Sequence, residues 1–327
     1  MRHEKAIGFL ALFAGVGLFS TVEVASKLVG ARVHPLQMVF IRFFLTGLIL
    51  LALAAPALRK RSTPLVLRDY GVFALNGGIG FALAIVLFHA AILVFEKAAS
   101  CAVVFSANPI FVLLFARFVN RESWSAPKWA AMVTGIAGVA CFAWESGAFT
   151  RQSLAALSLM LMAAMLFALS ICIVRRVIIR YGVFVLTGFS ALFGSLMVLP
   201  FALVVTVHQG LAGLVSAWAP TLYVALLGTA LAYGLYYFGL GHGTAFQASM
   251  MFFLKPVMAS LLAVLVLGEH INRFMVLGSA LILGGLVITV SGHLLAPRSP
   301  GREKKIKNNV LTDETPTRII PGQKQDL

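Results

Sequence analysis

Charge is scarce in this chain. Asp, Glu, Lys and Arg make up 11% of its 327 residues, against about 25% in soluble proteins. Sixty per cent of the residues are hydrophobic and the mean hydropathy is +0.96. So little charge excludes a soluble globular domain and leaves an all-α polytopic membrane protein. Cysteine is scarce as well. Cys101, Cys141 and Cys172 lie inside apolar runs without metal-ligand spacing, which argues against a disulfide framework or a thiolate metal site. Catalytic signatures are missing too: there is no HExxH zinc motif, no phosphate-binding GxxxxGK[ST] loop and no Ser/His/Asp set in a sizeable loop. No enzyme activity, cofactor or metal is therefore expected. The formal net charge of +15 could suggest a nucleic-acid partner, but its distribution assigns it to a membrane face.

What is present is a succession of apolar runs, each near the 20 residues that cross a bilayer as a helix. Ten spans are expected: 6–29, 36–58, 70–95, 98–119, 129–144, 154–174, 184–207, 214–238, 245–267 and 274–295. Ser20, Glu23 and Lys27 continue the first run at helical spacing, so it reads as a span rather than a cleaved leader. With the N-terminus inside, 19 Lys and Arg fall on the cytoplasmic side, counting Arg117 at the inner end of span four, 4 fall outside and 3 deeper within spans, which accounts for all 26. That asymmetry leads us to expect both termini on the cytoplasmic side. Residues 296–327 hold no apolar run and read as a disordered basic tail within reach of anionic lipid heads.

The ninth span carries the most informative interruption. Lys255 and Pro256 sit side by side near its middle. A charge at that depth costs roughly 2.5–3.5 kcal/mol unless it faces a polar interior. Proline has no N–H, so the Phe252 carbonyl four residues earlier must find another donor. The same pattern recurs 147 positions earlier, where Asn108 precedes Pro109. Ala98, Phe105, Pro109, Leu114, Ala116, Val119 and Glu122 match Ala245, Phe252, Pro256, Leu261, Ala263, Val266 and Glu269, seven identities in 25 positions. Glu122 and Glu269 read as helix-end residues rather than catalysts. Two halves, 1–148 and 149–295, each with five spans, would enter the membrane inverted relative to one another. Proline-interrupted helices at matching places in inverted repeats point to a transporter site at the repeat interface, with Pro109 and Pro256 as hinges.

The expected orientation brings several buried polar groups to one depth. Glu23 and Lys27 fall in the outer third of span one, Arg42 in the outer third of span two, and His89 at a similar level in span three. Lys255 lies near mid-membrane with Asn108 as its counterpart. Tyr233 and Tyr237 share a face of span eight and could stack on a substrate or form an interface belt. Each charged group also has a structural reading: Glu23 and Lys27 could neutralise each other, and Arg42 could anchor at headgroups. Three cations against one buried acid suit a substrate with a carboxylate or phosphate, and Glu23 or His89 could relay a proton. The glycines at 77, 78, 80, 135, 138, 284 and 285 are expected to let helices approach closely.

Over roughly residues 6–295 the chain resembles the drug/metabolite transporter superfamily, EamA type. The residues that carry the resemblance are Phe40-Ile41-Arg42-Phe43-Phe44-Leu45 and the ending Lys255-Pro256…Leu267-Gly268-Glu269. The resemblance implies a secondary carrier or exporter of amino acids, related metabolites or amphiphiles, with a central cavity lined by both halves. Asn108 before its proline, Asn120-Arg121 before Glu122, and the acidic Glu23 depart from that pattern. The expected partners are a small-molecule substrate, membrane lipids, a coupled proton or exchange substrate and a homodimer partner. A wholly polar cavity would favour a hydrophilic solute. An apolar cavity open to lipid would favour an amphiphile exporter or flippase.

Overall fold

Membrane-length apolar helices carry the architecture. The structure, a computed structural model, describes residues 2–61, 64–94, 98–146, 154–267 and 273–295. The first helices are α1 (Arg2–Val29), α2 (Pro35–Arg59), α3 (Leu67–Asn76) and α4 (Ala84–Val94). They are followed by α5 (Ala98–Phe105), α6 (Asn108–Val119), α7 (Ala126–Ser146), α8 (Leu154–Tyr181) and α9 (Val183–Gln209). The last are α10 (Ala212–Ser216), α11 (Trp218–Ala225), α12 (Ala232–Gly241), α13 (Ala245–Met250), α14 (Leu254–Leu267) and α15 (Arg273–Leu295). Residues 1–290 form one compact unit. The expected basic tail, Glu269 and the segment joining the two halves lie outside the described residues.

Among the described residues, seven helical stretches are long and apolar enough to cross a membrane: Ala6–Arg32, Pro35–Arg59, Leu67–Val94, Cys101–Val119, Leu154–Tyr181, Val183–Gln209 and Trp218–Gly241. This is a polytopic helical membrane protein. Expected span nine does not form one continuous α-helix. A 3₁₀ turn at Met251–Phe253 divides it, leaving 14 residues in α14. Expected span four is divided in the same way by Ser106 and Ala107, with Pro109 at the second position of α6. Spans three and eight carry π-helical segments at Gly77–Leu83 and Leu226–Leu231.

Helix ends follow local chemistry. His34 caps α2, its ring nitrogen accepting from the Leu36 amide at 3.2 Å while Gln37 Oε1 accepts from the His34 amide at 3.3 Å. Thr244 and Gln247 form the same reciprocal pair at α13, with bonds of 3.1 and 3.0 Å. Glu122 adds a third anchor there, its Oε1 accepting from the Ala245 amide at 2.7 Å. Helices pack closely where glycine permits. A Cβ on Gly15 would lie 2.9 Å from the Tyr236 amide nitrogen of α12, and one on Gly47 would lie 2.9 Å from that of Leu192 in α9. Gly77, Gly80, Gly135, Gly138 and Gly285 likewise face neighbouring helices, whereas a Cβ on Gly284 would meet nothing within 4 Å. Trp124, Trp129, Trp144 and Trp218 are exposed on the protein surface.

Candidate functional site

The two broken helices touch where each is interrupted. Pro256 cannot donate to the Phe252 carbonyl, and the Ser106 hydroxyl from the other break does so at 3.0 Å. That hydroxyl also faces the Ala102 carbonyl at 2.6 Å, so one proton serves two acceptors. Phe105 and Phe252 stand edge to face across the contact, centroids 5.9 Å apart.

From this crossing Lys255 reaches Glu23 on α1, and the two form a short, fully buried ion pair. The ammonium also lies 4.9 Å from the Phe105 ring centre and 5.5 Å from that of Phe88, so its remaining surface is covered by aromatic faces. Glu23 Oε2 has no hydrogen-bond partner among the described residues. Lys27, one turn further along α1, is half-buried.

Arg42 on α2 is buried to 2% exposure, and its charge is held by neutral groups. Its Nε donates to Thr229 Oγ1 at 2.9 Å and one terminal nitrogen meets His89 Nε2 at 2.6 Å. Thr229 sits in the π segment of the eighth span and gives its own proton to the Val224 carbonyl, five residues back, at 2.6 Å. Its lone pairs therefore remain for Arg42. The irregular helix thus presents an acceptor where a regular turn would aim it elsewhere. A guanidinium has five N–H donors; two of those on Arg42 are used here.

Arg42 and Lys255 share one cavity, whose other walls are Phe19, Val22, Ile85, Phe88, Phe105, Phe167, Tyr233 and Phe252. The free volume is about 30 Å³, room for a water molecule or two. Every one of these ten side chains is buried. The cavity is therefore an aromatic box with two cations, one matched by a carboxylate and one not. It is neither wholly polar nor wholly apolar.

The structure brings Glu23, Arg42, His89, Lys255 and Tyr233 together around this cavity. Two other expected residues pack into the surrounding bundle. Asn108 Nδ2 donates to the Ala164 carbonyl at 2.9 Å, and Tyr237 packs edge-on against Tyr233 with centroids 5.4 Å apart. Thr229 and Ser106 are participants that sequence reasoning missed. A hydroxyl beside Gly228 in an apolar span was the available hint for the first. For Ser106 it was the position three residues before Pro109.

The EamA-like transporter family matches this chain twice, over residues 6–144 and 154–291. An uncharacterized transporter of Clostridium kluyveri is 27% identical over 293 residues, covering 88% of this chain and 94% of the relative. The uncharacterized transporter sll0355 of Synechocystis is 26% identical over 292 residues, 84% of this chain and 87% of its own length. The uncharacterized transporter YdfC of Bacillus subtilis is 26% identical over 230 residues, 68% and 72% of the two chains. One crystal structure shares the fold with a TM-score of 0.68 at 18% identity, over 90% of this chain and all of the other. With the family matched over both stretches, which together span most of its length, the chain belongs to the EamA-like transporter family.

Proposed function

We propose that this transporter moves a small organic anion, a monocarboxylate with an apolar or aromatic body, across the cytoplasmic membrane by alternating access. A zwitterion bearing the same carboxylate is the neighbouring class. The observation that carries the reading is Arg42: an enclosed cation whose hydrogen-bond partners among the described residues are the neutral Thr229 and His89, facing a cavity walled mostly by rings. A carboxylate accepts a guanidinium fork in bidentate geometry, and the rings supply apolar contact for the rest of the molecule. Lys255 already has a carboxylate partner and contributes position rather than net charge.

At about 30 Å³ the cavity is too small for such a solute, so binding requires it to widen. Two inverted five-helix halves, 1–148 and 149–295, rocking about the breaks at Pro109 and Pro256 would widen it towards one face and then the other. The excess of Lys and Arg on one side supports cytoplasmic termini. Direction follows the gradients, and export is the direction implied by the family resemblance. The aromatic wall also favours one second reading, an exporter of amphiphiles.

Thermal stabilisation of the purified protein separates these readings, because a ligand of the native state raises its melting temperature. 3-Phenylpropionate should stabilise the wild type, its uncharged amide should not, and Arg42→Lys should lose the response. Equal stabilisation by acid and amide would refute the anion reading. Stabilisation by detergent-like amphiphiles alone would favour the second.

A further inference from the structure

His89 stands in an electrostatically awkward place unless something negative joins it. Its Nε2 lies 2.6 Å from a terminal nitrogen of Arg42, inside a buried site. A guanidinium offers donors only. The imidazole nitrogen facing it must therefore accept, which makes His89 neutral with its proton on Nδ1. Protonating Nε2 in the empty site would break that hydrogen bond and set two cations side by side.

An anion on Arg42 changes this balance. A carboxylate accepts at four lone-pair positions, enough for the unused Arg42 donors and for one N–H from His89. Its negative charge also cancels the second positive charge that a protonated His89 would add. We propose that His89 takes up a proton from water when an anion binds at Arg42, so that anion and proton are carried together. The proton goes to Nε2, the His89–Arg42 hydrogen bond is exchanged for a His89–carboxylate one, and no covalent bond is made. The inference deepens the anion reading and rests on it.

The surrounding titratable groups leave His89 as the best-placed acceptor. Arg42 faces it from α2. Helix α1 contributes Glu23 and Lys27, α5 contributes Cys101, α12 contributes Tyr233 and α14 contributes Lys255. Helix α8 has no titratable residue between Leu154 and Ile171. Protonating Glu23 would leave Lys255 unmatched, whereas protonating His89 in the anion-bound site only returns these groups to the net charge of +1 that they carry without the anion.

Calorimetric titration of the solubilised protein with 3-phenylpropionate, in buffers of different ionisation enthalpy, counts the protons taken up. The wild-type binding heat should vary with the buffer, with uptake approaching about one proton per anion, and affinity should tighten as pH falls by at most about tenfold per pH unit. His89→Gln keeps an acceptor for Arg42 but has no site for the proton, so its buffer dependence should vanish. A buffer-independent wild-type heat overturns this inference and leaves the anion reading standing. A slope that survives in His89→Gln also overturns it. Failure of the wild type to bind the acid overturns both. Should His89→Gln no longer bind, Glu23→Gln decides: an unchanged slope supports His89, and a lost slope assigns the proton to Glu23.

Discussion

Replacing Lys255 by Met should reveal the Glu23–Lys255 pair as an energetic unit. Glu23 and Lys255 are 1% and 2% exposed. Met retains most of the lysine stem but leaves the carboxylate without its cation, and Glu23 Oε2 already lacks a partner among the described residues. Removing one member of a buried pair costs about 3–5 kcal/mol. That is roughly two to three and a half orders of magnitude in the folded-to-unfolded ratio. Replacing both members by apolar residues of similar size is commonly neutral or stabilising. Lys255→Met and Glu23→Leu should therefore each destabilise strongly, and the double variant should recover most of the loss. Reversible denaturation in mixed micelles, run as a double-mutant cycle, measures the coupling. Single-variant losses below about 1 kcal/mol, or a double variant equal to the sum of the singles, would refute the reasoning.

Two further outcomes test other parts of the structure. Ser106→Ala removes the donor to the Phe252 carbonyl and should cost about 1–3 kcal/mol, the penalty for an unsatisfied buried acceptor; Ser106→Thr, which keeps the hydroxyl, should recover part of it in the same denaturation assay. Asp69 joins the α2–α3 loop to the end of α8, accepting from the Tyr181 hydroxyl at 2.5 Å and from Arg180 at 3.2 Å while its other oxygen caps the Val66 amide at 2.9 Å. Asp69→Asn should lose about 1–3 kcal/mol, and faster hydrogen exchange along Leu65–Tyr70 would show where the loss falls.

Much of the architecture was legible because bilayer chemistry leaves coarse marks. Apolar run length, scarce charge and paired prolines announced a polytopic bundle with two interrupted helices. Pro256 even required a donor for the Phe252 carbonyl, and Ser106 supplies it. The partners across helices were not legible. Glu23 and Lys255 are 232 positions apart, and only the packing of α1 beside α14 joins them; periodicity along one helix made Lys27 the nearer candidate. Thr229 was invisible for a different reason. Its role depends on a π segment that redirects one hydroxyl, and an extra residue per turn leaves no periodic trace in so uniformly apolar a stretch. The ten expected spans also rested on run length alone, which does not register the 3₁₀ turn that leaves α14 with 14 residues.

The placement of tryptophan has an optical consequence. All four indoles lie on the surface, while the cavity wall holds phenylalanines and a tyrosine. Intrinsic tryptophan emission from this protein therefore gauges the surrounding lipid annulus. Brominated acyl chains should quench it in proportion to their contact with the helices, and a solute entering the cavity should leave the spectrum almost unchanged. Against that steady background the site is spectrally silent, and a single indole installed on the cavity wall would be read as substrate occupancy alone.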